Sequence, residues 1–412
     1  MLRMADRPSL QAVAPERRSG RRHFPCIDGL RAVAATMIVL THATWLSGAG
    51  DGEPFGPFLA RMDAGVAVFF VLSGFLLYRP FAAAHLDGGD GPRPGAYLWR
   101  RFLRLVPAYW VALTVTQVVM GVGTGMHSAA DAVTYYGFLQ VYDPLRAFGG
   151  IPQAWSLCVE VTFYLALPLW AAALAAGRRG RDAGHQARVE LLALAAVAAG
   201  ASLWRLWVLE VDGSANHLGL SWLPAYADLF AAGMALAVVS ARSARGGPLP
   251  AWLAALGRRP GLSWGLAGAS FWTVAVVVDL PTGLAAASTG ATLARHLLYG
   301  LTAVFLVVPA VVGDQGEGAV RRLLRSRPVV AVGLVSYGLF LWHQAWMDRV
   351  LRWTGDAVGA GPFWLLLAAG LTLGLAAATA SWFLVEAPLL RRRPDGRGRA
   401  RTVPVASVAA AR

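Results

Sequence analysis

Phe363-Trp-Leu-Leu-Leu-Ala-Ala-Gly-Leu-Thr-Leu-Gly-Leu-Ala-Ala-Ala-Thr-Ala-Ser-Trp-Phe-Leu-Val385 runs up to Glu386 without one charged side chain. A helix of roughly 20 apolar residues, rising about 1.5 Å per residue, crosses the hydrocarbon core of a bilayer. A soluble domain would break such a run with charge, so lipid is the solvent of this segment. Working back towards the N-terminus, the same kind of apolar run recurs at 30–48, 64–83, 105–123, 153–176, 190–210, 221–240, 264–280, 296–313 and 330–350, which with 363–386 makes ten candidate spans. Gly, Pro and charged residues separate them, as in Asp87-Gly-Gly-Asp-Gly-Pro92 and Arg178-Arg-Gly-Arg-Asp182. The fold class expected is all-α and integral to the membrane, a polytopic bundle of about ten transmembrane helices over residues 25–392, with tails at 1–24 and 393–412 that carry no core.

Composition agrees. Of the 412 residues 56% are hydrophobic and 15% charged, against about a quarter charged in soluble domains. All 37 basic residues are arginine; with the heavy Ala and Gly usage, this reads as GC-rich, actinobacterial-looking coding. A net charge of +14 would suit nucleic acid if it formed one surface. Instead the arginines sit in short clusters between apolar runs, so no nucleic-acid partner is expected. Thirty of them fall on alternate inter-span segments and five on the opposite ones. Positive charge stays on the cytoplasmic side, which predicts a multi-pass cell-membrane protein with both termini cytoplasmic. Cys26 and Cys158 stand far apart in or beside apolar runs and read as buried thiols, not as a disulfide or zinc ligands.

Ionisable groups inside a bilayer are costly and call for a reason. Arg31 and His42 lie eleven positions apart in the first span, about three helical turns, hence on one face and about 16 Å apart. Ser73 in the second span, Glu160 in Trp155-Ser-Leu-Cys-Val-Glu160 and His343 in Ser336-Tyr-Gly-Leu-Phe-Leu-Trp-His343 reach the same depth as His42. Together they describe a polar chamber; Ser73-Gly74 taken alone reads better as a small-residue packing seam. At the cytoplasmic boundary Arg100-Arg-Phe-Leu-Arg-Leu-Val-Pro107 sets Arg101 and Arg104 on one helix face. Guanidinium forks suit phosphate, although topology and lipid headgroups also account for such a cluster. Glu386 ends the last span at this level, as a candidate holder for one of these arginines.

The succession Cys26-Ile-Asp-Gly-Leu-Arg31 with His42, Phe69–Phe75, Arg100–Pro107, Trp155–Tyr164, Ser336–His343 and Glu386-Ala-Pro388 resembles the motif order of the acyltransferase-three family, from about residue 24 to 392. The resemblance implies a ten-helix membrane acyltransferase in which Arg31 and His42 are essential and Arg101, Arg104 and Glu160 are functional. Many members carry an acid just before the Phe-Phe pair, where this chain has Ala67; a role for that carboxylate does not carry over.

The activity expected is transfer of an acyl group from acyl-CoA to a hydroxyl of a glycan or of a secondary metabolite such as a macrolide. His42, Glu160 and Arg31 form the catalytic set, with His42 as base and Glu160 orienting or recharging its imidazole. Arg100, Arg101 and Arg104 hold the donor's phosphates, and Ser73, Tyr337, His343 and Trp155 face the substrates. No permanently bound cofactor and no metal is called for. The alternative is a proton-coupled transporter or flippase, in which buried His and Glu relay protons; the repeated halves expected of one are not seen. The sequence leaves acyl length and oligomeric state open.

Overall fold

The computed structural model describes residues 24–391 apart from 51–54, 90, 123–124, 178–179, 181, 213–216, 283–286, 314 and 316–317. Apart from Phe24, the two tails expected at the ends lie outside the described residues. Among the described residues every regular element is helical. Ten long elements follow one another: α1 (Ile27–Ser47), α2 (Ala64–Leu86), α3 (Pro94–Thr114), α4 (Trp155–Ala176), α5 (Ala183–Glu210), α6 (Ala227–Ser243), α7 (Pro260–Trp272), α8 (Thr289–Val311), α9 (Ser336–Thr354) and α10 (Phe363–Ser381).

The ends are set by local chemistry. Asp182 and Ser288 cap α5 and α8 by accepting the backbone N–H of His185 and Ala291, which satisfies donors that a helix start leaves free. Pro94 and Pro260 open α3 and α7, where a missing N–H costs nothing. Gly48 and Gly355, both in the left-handed region, close α1 and α9.

Each apolar run of the sequence falls in one of these elements, with two qualifications. Among the described residues eight helices have the length and hydropathy to cross a membrane, and a ninth if Arg327–Leu334 and α9, bent by 73° at Val335, form one span. The remaining run, expected at 264–280, is not among them. Its helix α7 is short, rich in Gly and Ser, and passes into a π-turn at Thr273–Val277. Helix α3 also starts at Pro94, well before the apolar run at 105–123. Its N-terminal turns therefore carry the arginine cluster on rigid helix, not on a loop.

Lipid tails give apolar helices no solvent-driven reason to associate, so close packing and small residues do that work. A Cβ on Gly74 of α2 would stand 2.2 Å from the Phe230 carbonyl oxygen of α6, and one on Gly233 would stand 2.0 Å from that of Val71. Backbone thus meets backbone along α2 and α6, and the chain turns Ser73, next to Gly74, toward the interior on the other side. Cys26 and Cys158 are buried free thiols.

With ten crossings, Gly180 after α4 lies on the arginine-rich cytoplasmic side and Ala360 before α10 on the other. Topology reporters inserted at these two sites are expected to give opposite readings. Identical readings would mean that α7 does not cross.

Candidate active site

A cavity of about 110 Å³ opens between α1, α2, α3, α4 and α9. Arg31, Arg101 and Arg104 line it towards the arginine-rich end, where Tyr337 joins them, and Ser73 and Glu160 line it further in. Arg101 and Arg104 reach it together because they are three residues apart on α3; Arg100 is not among the lining residues. The Nε of Arg101 is enclosed without a hydrogen-bond partner among the described residues. Three cations line it beside the Glu160 carboxylate; with Glu386 behind Arg104 the balance is still positive, which makes this an anion-accepting mouth.

The surrounding helices hold these side chains in place. Arg31 donates to the hydroxyl of fully buried Ser336 at 3.3 Å, and the bend at Val335 is what brings that residue to α1. Arg104 is 3.8 Å from the Glu386 carboxylate and stacks over the Trp382 ring at 5.5 Å. Both partners belong to the π-turn Trp382–Glu386 that ends α10; the extra residue of such a turn re-aims the side chains around it. Tyr337 donates to the Leu105 carbonyl at 2.7 Å and ties α9 to α3.

Glu160 is not the partner of His42. Its Oε1 accepts from Ser73 at 2.7 Å and from Tyr164, one turn along α4, at 2.6 Å. No described residue donates to Oε2, which leaves that oxygen for a ligand. His42 meets His343 instead: His42 Nδ1 lies 2.9 Å from His343 Nε2 and 2.9 Å from the Ile38 carbonyl oxygen, while His343 Nδ1 lies 2.9 Å from that of Leu339. A carbonyl only accepts, so in the neutral pair each Nδ1 carries the proton. His343 Nε2 then offers its lone pair to His42 Nδ1–H, and His42 Nε2 is left unprotonated. The chamber expected from depth is therefore two adjoining sites. Neither imidazole lines the cavity; the link is Phe340, which lines it and whose ring centre is 6.3 Å from that of His343. Trp155 faces a different cavity, near the opposite end of the bundle.

The arrangement can hold a polyanion at one end and present an unprotonated imidazole nitrogen near the other, a base for group transfer to a hydroxyl. Comparison with known proteins names the chemistry. Residues 24–384 match the family described as "Acyltransferase domain". The chain belongs to the acyltransferase-three family. It is 25% identical to Nodulation protein 10 of Rhizobium leguminosarum over 92% of this chain and 96% of that one, and 28% identical to the exopolysaccharide production protein ExoZ of Rhizobium meliloti over 82% and 92%. The peptidoglycan O-acetyltransferase OatA of Listeria monocytogenes is 27% identical over 37% of this chain, which spans only 24% of that protein. No solved structure matches. An acyltransferase of this family accounts for the buried His and Glu without the transporter alternative.

Two sets of residues go beyond the sequence reading of this acyltransferase. Tyr164 could have been found as the i+4 neighbour of Glu160. Fully buried Glu190 accepts from Tyr78 at 2.7 Å and from Gln186 at 3.0 Å and pairs with His85 at 2.8 Å. It clamps α5 to α2 in the half nearer the arginines.

With the acyl-CoA donor proposed below, replacing Arg104 by Ala is expected to raise the apparent KM for acetyl-CoA about tenfold, the worth of one hydrogen bond to a charged group, with kcat little changed. Lys should restore part of it, keeping charge and losing the fork. Unchanged donor kinetics would reduce the cluster to a topology signal.

Proposed function

We propose that this acyltransferase moves an acyl group from coenzyme A to a hydroxyl, with His42 as general base. The observation that carries the reading is the His42–His343 contact beside an arginine-lined cavity. The donor's phosphates are held by Arg31, Arg101 and Arg104, and its pantetheine arm runs inward past Glu160 towards Phe340. The rise of about 16 Å from Arg31 to His42 is comparable with the length of that arm. Glu160 Oε2 accepts a hydrogen bond from a pantetheine amide or from the acceptor, a role different from recharging the imidazole.

The acceptor hydroxyl gives its proton to His42 Nε2 as its oxygen attacks the thioester carbonyl carbon. The tetrahedral intermediate collapses with cleavage of the C–S bond, and the leaving thiolate takes the proton back from the imidazolium. Throughout, His42 Nδ1–H stays bonded to Ile38 and His343, which fixes the tautomer and the ring orientation. Direct transfer needs only this base. The names of the relatives, a peptidoglycan O-acetyltransferase and an exopolysaccharide production protein, favour a glycan hydroxyl as acceptor. A macrolide hydroxyl rests only on the actinobacterial-looking composition.

General-base help is worth about 10²–10⁴-fold in rate. His42→Ala is therefore expected to lose that much acetyl-CoA turnover in folded, quantified protein, and His42→Gln, which cannot take the proton, should not restore it. Restoration by Gln would make His42 an orienting residue. Rapid quench with radiolabelled acetyl-CoA and no acceptor is expected to leave the protein unlabelled; a stoichiometric label absent from His42→Ala and chased into product would replace direct transfer with an acyl-histidine. His343→Phe should lower kcat and leave the KM for acetyl-CoA unchanged.

A further inference from the structure

A second cavity of about 110 Å³ lies near the end of the bundle opposite the arginine mouth. Asp63 precedes α2, Trp155 opens α4, Tyr226 precedes α6, and Arg295, His296 and Tyr299 lie in the first turns of α8; all six line it. It shares Val66 with the first cavity, and Trp155 is followed directly by Ser156 and Leu157 of that cavity's wall. The two cavities thus approach each other from opposite ends.

Its walls combine two kinds of group. Trp155 and Tyr226 form an aromatic corner, with ring centres 5.5 Å apart, and the His296 ring lies 5.8 Å from Tyr226. Around them sits a rim of fixed donors and acceptors. Asp228 takes two hydrogen bonds from Arg205, at 2.9 and 3.1 Å, and one from His296 at 2.9 Å. Tyr299 donates to Asp63. Arg295 lines the cavity without a hydrogen bond or ion pair among the described residues, close enough to Asp63 to act on its charge. A purely structural network would have used that guanidinium. A bare anion site would not need the aromatic corner, nor two carboxylates beside it.

We propose that this cavity is a sugar-ring site through which the acceptor enters from the outer face. The apolar C–H face of a pyranose packs on Trp155 and Tyr226, and its hydroxyls bond to Asp63, His296 and Arg295, the mixture of apolar walls and few convergent polar groups that ligand sites use. A ring so held points a hydroxyl past Val66 towards the donor cavity. Its use as an acceptor site rests on the acyl-transfer reading; its affinity for sugar does not.

The test places a cysteine at Thr292, another lining residue, in full-length protein in closed vesicles of known orientation. Wild type, whose two cysteines are buried, is the blank. A membrane-impermeant maleimide is expected to label Thr292→Cys from the side opposite the termini, and saturating methyl glucoside should slow labelling about threefold or more. Betaine of equal osmolality should not. Adding Tyr226→Ala should abolish the protection and Tyr226→Phe should keep it. Labelling from the cytoplasmic side, equal slowing by betaine, or protection that survives Tyr226→Ala would overturn the proposal. Because protection is read without turnover, its failure tells against the site alone. Protection without any consumption of acetyl-CoA would tell against the acyl-transfer reading instead.

Discussion

A charged or hydrogen-bonding group inside a bilayer has no water to fall back on, and the rest of this structure depends on that constraint. Every such group must find a partner in the bundle or face a cavity. Glu190 shows the first solution, closed on Tyr78, Gln186 and His85 with no exposed surface. The first cavity shows the second. There, among the described residues, the Arg101 guanidinium keeps an unpaired Nε and Glu160 keeps an unused oxygen, and unmet demand of this kind is what a ligand satisfies. The closed cluster around Glu190 joins two helices, and the open one lines a cavity that a ligand can enter.

The scaffold sets the geometry of those openings through irregularities. The bend at Val335 brings Ser336 to Arg31, and the π-turn at the end of α10 turns Trp382 and Glu386 onto Arg104. The glycine seam of α2 on α6 lets one surface of α2 pack backbone to backbone while Ser73 reaches Glu160. An ideal straight bundle of the same sequence would lose each of these contacts.

How far the sequence reveals this follows from what a sequence encodes about a helix. Apolar length and arginine placement gave the spans and their order, and α7 is the one whose short, Gly- and Ser-rich run falls outside the helices apolar and long enough to cross. Position along a span gives depth, so His42, Ser73, Glu160 and His343 could be set at one level. Depth says nothing of rotation about the bundle axis, and the choice of Glu160 over His343 as the partner of His42 failed on that coordinate. Tyr164 was readable from i+4 spacing on α4. Arg205 was visible inside a span, but its partner Asp228 and the neighbouring His296 lie on helices that only the folded bundle brings together.

In the proposed mechanism one cavity holds coenzyme A by Arg31, Arg101 and Arg104 with its acyl end at the imidazole pair. A cryo-electron-microscopy structure of the protein with an acetyl-CoA analogue whose thioester sulfur is replaced by methylene measures this directly. The account predicts phosphate density among the three guanidinium groups and the acetyl carbonyl beside Phe340 and His42 Nε2. Nucleotide density elsewhere, or an acyl end that turns away from His42, would contradict it.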